Sequence, residues 1–205
     1  MTKKRLRSYF QQKAVNNRNE NCKPSVRGIR LTVPEQMESK GIPYSEAIKT
    51  LAETSDPEIF DNSGPDHATT VMSNIFRTSK NHVRIFAGDL GGNVSKGEYL
   101  IELERYLDKG NKLSIVLENR PKRGNGDQKT AFDIIEKYNK INPNKVFIGY
   151  LNQNSPYKNL GIHFTIGDER MYRLETDTNL YTARCSFNDP DFAFQLLEIF
   201  NTLAK

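Results

Sequence analysis

From residue 66 onward the chain alternates two apolar rhythms. Ala68, Val71, Met72, Ile75 and Phe76 recur at the three- and four-residue spacing of a one-sided helix, predicting a helix over 66–80. The apolar run at 83–87 predicts a short strand that ends in Gly88-Asp89-Leu90-Gly91-Gly92. Leu100, Leu103, Tyr106 and Leu107 predict a helix over 99–107, stopped by Gly110. A strand follows at 113–117, a helix at 127–138 with Ala131, Phe132, Ile134, Ile135 and Tyr138, and a third strand at 146–150. Strands alternating with helices predict a parallel sheet with right-handed crossovers. The rhythm then changes. Residues 162–166, 171–174 and 181–187 read as consecutive strands, an antiparallel meander. Asp189-Pro190 opens a last helix with Phe192, Leu196, Ile199, Phe200 and Leu203 on its inner face.

The first 65 residues are less regular. A short helix is expected around Leu6 to Val15, and a loose strand from Val26 to Val33, ended by Pro34. Pro43-Tyr44-Ser45 opens a helix carrying Ala47, Ile48 and Leu51, with Ser45 as its N-cap. Loop residues at 54–57 and 62–65 place a boundary near 65. The expected organisation is a small N-terminal extension, 1–65, followed by an α/β domain, 66–205.

Composition narrows this. The 205 residues are 36% hydrophobic and 27% charged, with mean hydropathy −0.69, polar for a globular chain. The 11 Phe and 9 Tyr still suffice for a core, which excludes disorder throughout. No apolar run approaches the ~20 residues that span a bilayer, so no membrane role is expected. Met1-Thr2-Lys3-Lys4-Arg5 has no apolar stretch behind it and reads as no secretory signal. Cys22 and Cys185 make neither a disulfide framework nor a four-ligand metal site. The expected setting is therefore cytoplasmic, with no metal and no cofactor.

The net charge of +5 is unevenly placed. Residues 1–30 hold nine Lys/Arg and one acid, net +8; residues 31–65 hold two Lys and seven acids, net −5. Lys3, Lys4, Arg5 and Arg7 head this arm as candidate nucleic-acid contacts, acting through phosphate and counterion release. The competing reading is a solvated tail docked on the chain's own acidic 31–65 segment.

Candidate chemistry lies at strand ends, where open parallel sheets bind ligands. The glycine-rich loop at 88–92 matches neither a dinucleotide fingerprint nor a P-loop. Arg120, Lys122 and Arg123 follow the second strand and are candidate phosphate contacts. Arg173 and Glu175, two apart, share a strand face as a salt bridge or a pocket lining. The C-terminal strands read Gly161-Ile162-His163-Phe164-Thr165-Ile166-Gly167-Asp168 and Cys185-Ser186-Phe187-Asn188. Residues 66–205 resemble one half of the phospholipase D superfamily, whose signature is His-x-Lys-x4-Asp followed by Gly-Ser-x-Asn. Aligned on the carboxylate, Asp168 matches the Asp, His163 falls at the Lys position and Gly161 at the His position. Ser186 and Asn188 match the Ser and Asn, with Cys185 at the Gly position.

The resemblance implies an α/β fold: a phospholipase-D-like mixed sheet flanked by helices. It also implies a mechanism. Two motif copies meet across a two-fold axis; one His attacks phosphorus and the other protonates the leaving oxygen. Lys and Asn neutralise the developing charge, and Asp orients His. A single half-domain implies a homodimer, and Gly161 implies a lost nucleophile. His163, Asp168, Ser186 and Asn188 are thus expected to converge as a phosphate site. The expected function is binding of a phosphate-bearing ligand, nucleic acid or nucleotide, with little or no phosphodiesterase activity. The alternatives are an active homodimeric phosphodiesterase or nuclease using His163, and a structural or interaction protein with no ligand. The bland reading of His163 is a satisfied half-buried histidine, and that of Ser186-Asn188 a helix cap. His67 and His82 read as surface residues, and Cys185 as a buried thiol.

Overall fold

The computed structural model of the chain describes residues 32–90, 94–121, 130–159 and 161–204. In chain order these form α1 (Val33–Ser39), α2 (Tyr44–Thr54), β1 (Ile59–Asn62), α3 (Pro65–Thr78), β2 (His82–Ala87), α4 (Glu98–Asp108) and β3 (Lys112–Leu117). There follow α5 (Ala131–Ile141), β4 (Val146–Tyr150), β5 (His163–Gly167), β6 (Met171–Asp177), β7 (Thr182–Ser186) and α6 (Pro190–Leu203). The expected helix at 6–15 lies outside the described residues.

All seven strands join one sheet in the order β1-β7-β6-β5-β2-β3-β4. β2, β3 and β4 run parallel, as the helix–strand alternation predicts. β5 turns back against β2, and β6, β7 and β1 continue antiparallel. The sheet is therefore mixed, and both its faces are covered by helices. On one face Ile85, Leu113, Ile115 and Cys185 pack with α2, α3, α4 and α5 side chains such as Leu51, Ile75, Leu103 and Ile134. On the other, Phe164, Ile166, Tyr172 and Leu174 pack on Phe192, Leu196 and Phe200 of α6.

Several expectations are corrected before residue 66. Of the strand expected at 26–33, residues 26–31 lie outside the described residues, and Val33 starts a helix rather than ending a strand. Pro34 sits in the first turn, where no N–H is needed, and Thr32 and Glu35 close a capping box. Pro43, not Ser45, is the N-cap of α2; Ser45 lies within the first turn. Residues 59–61, unassigned from sequence, and Asn62, expected in a loop, form an edge strand paired with β7. Ala47, Ile48, Leu51, Ala52 and Phe60 are all buried, so residues 32–64 share the sheet and core of the residues that follow.

The β5–β6 connection shows how tightly this end of the sheet is built. Asp168 and Glu169 both take left-handed backbone, φ 48° and 59°, within the three-residue hairpin loop 168–170. The Arg170 N–H closes it on the Gly167 carbonyl at 3.2 Å. The Asp168 carboxylate accepts from three backbone N–H groups, of Lys80 (2.7 Å), Asn81 (2.9 Å) and His82 (3.1 Å). Gly167 lies directly under α3. A Cβ there would stand 2.7 Å from Ser79 Oγ and 2.9 Å from Ile75 Cγ2.

Candidate functional site

β2 ends at Ala87, and because β5 runs against it, β5 begins there. His163 is the first residue of β5 and lies opposite Glu175 of β6. Side chains alternate along a strand, so His163 and Thr165 share a face with Glu175 and Arg173. This face turns toward α3 and α4. Sequence alternation thus places two opposite charges and an imidazole together at the carboxyl end of the parallel strands.

The contacts form a chain. His163 Nδ1 lies 3.2 Å from Glu175 Oε2. The Arg173 guanidinium donates to Glu175 Oε1 at 2.9 Å, to the Tyr181 carbonyl at 3.1 Å and to Asn62 Oδ1 at 3.3 Å. Asn62 Oδ1 also accepts from the Cys185 thiol at 3.2 Å. Arg173 and Glu175 are 5% and 6% exposed, so their charges meet out of bulk water. Burial alone would raise the Glu175 pKa. The hydrogen bond to His163 and the Arg173 charge outweigh it and hold the carboxyl below its ordinary value. Burial pushes the Cys185 thiol up to about 12, which makes it inert at neutral pH.

Glu175 is therefore a carboxylate at neutral pH and can only accept. Nδ1 of His163 must carry the proton in that hydrogen bond, which leaves a lone pair on Nε2 whenever the ring is neutral. The ring stands edge-on to Phe86, centroids 6.1 Å apart. Its other side rests on Gly88, where a Cβ would approach Cε1 to 3.3 Å and Nε2 to 3.4 Å. The imidazole is thus held by a carboxylate on one nitrogen and by a bare backbone beside the other. It borders a cavity of about 320 Å³, also lined by Asp89, Ser95, Thr165, Thr178 and Tyr181.

The structure does not bring His163, Asp168, Ser186 and Asn188 together. β5 is five residues long, and five residue steps separate 163 from 168, roughly 16 Å of extended chain. Asp168 stands at the far end, occupied by the three N–H groups before β2. Ser186 is paired across the sheet with Tyr172, whose side chain packs beneath α6, so Ser186 faces away from His163. The Asn188 N–H donates to Ser186 Oγ at 3.2 Å, and Asp189 caps α6 through the Phe192 N–H at 3.1 Å. Arg120 is exposed at the end of β3, with its guanidinium 5.0 Å over the Tyr150 ring. Lys122, Arg123, Lys3, Lys4, Arg5 and Arg7 lie outside the described residues. His67 stacks on Tyr44 at 3.7 Å. His82 is half-buried rather than a surface residue, 2.9 Å from Ser114 Oγ; burial, then Arg84 and Lys112, lower its pKa to about 4.

Glu175 had a signal in the sequence, an opposite charge two residues from Arg173 on one strand face. Asn62 had none, because the strand that carries it is so short. Among the described residues no group of three or more His, Cys, Asp or Glu side chains could hold a metal ion. Among them, too, no helix is long and apolar enough to cross a membrane.

No protein-family model matches the chain, and no curated protein matches it in sequence. Solved structures do. The chain is similar to phosphatidylserine synthase from Haemophilus influenzae, with TM-score 0.51 and 10% identity over 72% of this chain and 39% of that one. It is similar to TrmBL2, an archaeal chromatin protein with a novel mode of DNA binding, with TM-score 0.50 and 19% identity over 83% and 62%. A phospholipase D family member, Nuc from Salmonella typhimurium, gives TM-score 0.48 and 14% identity over 71% and 92%. At such identities the likeness concerns the fold, and the fold is phospholipase-D-like.

Proposed function

We propose that the protein binds a phosphate-bearing ligand at His163 and turns it over slowly or not at all. One observation carries this reading: a histidine held by a buried carboxylate at the mouth of a cavity, with no lysine among the described residues that line it. A protonated His163 offers a positive Nε2–H to a phosphate oxygen. The side chain two residues on, on the same face, is Thr165. The guanidinium of Arg173, on the same face, already serves Glu175, Tyr181 and Asn62. Charge developing on a phosphoryl group in a transition state would therefore meet little extra stabilisation. Nucleic acid or a nucleotide is the favoured ligand. The chromatin protein TrmBL2 has this fold, and nine basic residues lie among the first 30.

A second reading, a phosphodiesterase acting as a homodimer, draws on the same contact. Glu175 fixes the Nδ1–H tautomer, which leaves Nε2 free to attack phosphorus, and a partner copy would bring a second His163 as the acid. Titration with inorganic phosphate and a short oligonucleotide, beside hydrolysis of a generic aryl phosphodiester, tests both. Binding lost in His163→Ala, with no hydrolysis above that variant, is the expected result. Hydrolysis abolished by His163→Ala, in a particle sedimenting at about twice 23.5 kDa, would establish the second reading. No binding and no hydrolysis would overturn both. Oligonucleotide affinity that falls steeply with salt, and loses that slope when residues 1–30 are removed, would assign the arm to the phosphate backbone.

A further inference from the structure

The cavity at His163 is larger and more apolar than a phosphate requires. Its lining also includes Met72, Ile85, Leu90, Val94 and Tyr99, an apolar recess on the α3 and α4 side of the sheet. Three of these, Met72, Ile85 and Tyr99, are core residues, and Leu90 and Val94 are half-buried against the same core. A phosphate group alone would leave most of the 320 Å³ unfilled.

The charges do not compensate for that emptiness. The ionisable side chains on the cavity wall, tyrosines aside, are His163 and Arg173 against Asp89 and Glu175. Even with His163 protonated the four charges balance, so the described residues of the cavity supply no surplus cation with which to grip a phosphate dianion. The free energy this site can offer lies mainly in burying apolar surface. Tyr99 of the recess is aromatic, and Tyr181, together with Phe86 edge-on to His163, lines the cavity as well. Such walls pack best against a flat ring, face to edge or offset face to face.

We infer that the natural ligand is a phosphate ester of a flat, aromatic or heteroaromatic group. Its phosphate lies at His163 and its ring fills the recess between Met72, Ile85 and Tyr99. This rests on the reading of His163 as a phosphate contact and adds the part of the ligand that gives affinity and selectivity.

Calorimetric titration of the full chain with inorganic phosphate, phenyl phosphate and hexyl phosphate at one ionic strength tests it. Phenyl phosphate is expected to bind at least about tenfold tighter than inorganic phosphate and several-fold tighter than hexyl phosphate. Val94→Trp, on a half-buried wall residue outside the helices and strands, should erase the advantage of the ring while leaving inorganic phosphate unchanged. Equal binding of phenyl and inorganic phosphate would overturn the inference and leave phosphate binding standing. Hexyl phosphate binding as tightly as phenyl phosphate would replace the ring by an alkyl chain and overturn it too. Ring selectivity undiminished in Val94→Trp would remove the recess from the account. No binding of any of the three would bring down the phosphate reading and the inference with it.

Discussion

Arg173→Met should be the most informative single change. Arg173 and Glu175 are both nearly buried and share a 2.9 Å hydrogen bond. Taking one partner from a buried ion pair costs about 3–5 kcal/mol, because the other charge is left without compensation. Here His163 stays within 3.2 Å of Glu175, and Cys185 still donates to Asn62, so the lower end, ~3 kcal/mol, applies at pH 7. The pH dependence has a definite sign. In the wild type Glu175 is held below its ordinary value. Its contribution is present above the ordinary carboxylate range and is lost as pH falls through the lowered value. Without Arg173, burial is opposed only by His163, and the carboxyl rises. The native variant then takes up a proton more readily than its unfolded chain, which stabilises it on acidification. The gap between the two proteins should narrow between pH 7 and pH 4.5. Other titrations, including that of His82, are common to both and cancel. Urea unfolding at the two pH values measures the gap, and Arg173→Met with Glu175→Gln should recover more than half of the loss. A cost below about 1 kcal/mol, or a gap that widens in acid, would refute the idea that this pair is the buried support of His163.

Three further outcomes follow from the same contacts. Asp168→Ala should lose ~2–3 kcal/mol, since three N–H groups lose a charged acceptor, yet leave phosphate binding unchanged; impaired binding in a fully stable variant would return Asp168 to the site. The lowered His82 pKa means that the unfolded chain takes the proton first, so wild-type stability should fall between about pH 6.5 and about 4. That fall should be roughly 1–2 kcal/mol after solvent screening, and His82→Asn should flatten it; an unchanged profile in the variant would contradict the assignment. Gly88→Ala should displace the imidazole, because the new Cβ stands 3.3 Å from Cε1, and phosphate affinity should drop about tenfold for about 1.4 kcal/mol with thermal midpoint nearly unchanged; titration and melting curves on one preparation check both halves.

What was legible in the sequence is what periodicity encodes. Helices such as α3 and α4 carry apolar side chains on one face, and β3 is almost wholly apolar, so both rhythms survive in the primary structure. The antiparallel return was legible from three consecutive strands with turns between them. β1 was not, because its four residues include buried Asn62, whose partners Arg173 and Tyr181 are more than 100 positions away. The site was half legible. Arg173 and Glu175 stood out as opposite charges on one strand face. The convergence of His163 with Asp168, Ser186 and Asn188 came from a motif read along the chain. That reading leaves out that a five-residue strand carries its two ends apart and that Ser186 alternates to the other face. Asp168 is conspicuous because the hairpin needs it, which a linear motif does not distinguish from chemistry.

The place of β1 has a consequence for how the molecule is made. Ile59 pairs with Ser186 and Asn62 with Ala183, so the edge strand waits on a loop more than 100 residues long before it has anything to join. On a ribosome, β2 to β4 and their helices emerge and pack from local contacts, but Asn62 stays unpartnered until β7 has been synthesised. His163 is on the growing chain before that, without the Asn62 contact that steadies Arg173. A nascent or truncated chain ending before residue 182 would carry His163, Glu175 and Arg173 but not β7, the strand that pairs with β1 and so sets Asn62 against Arg173.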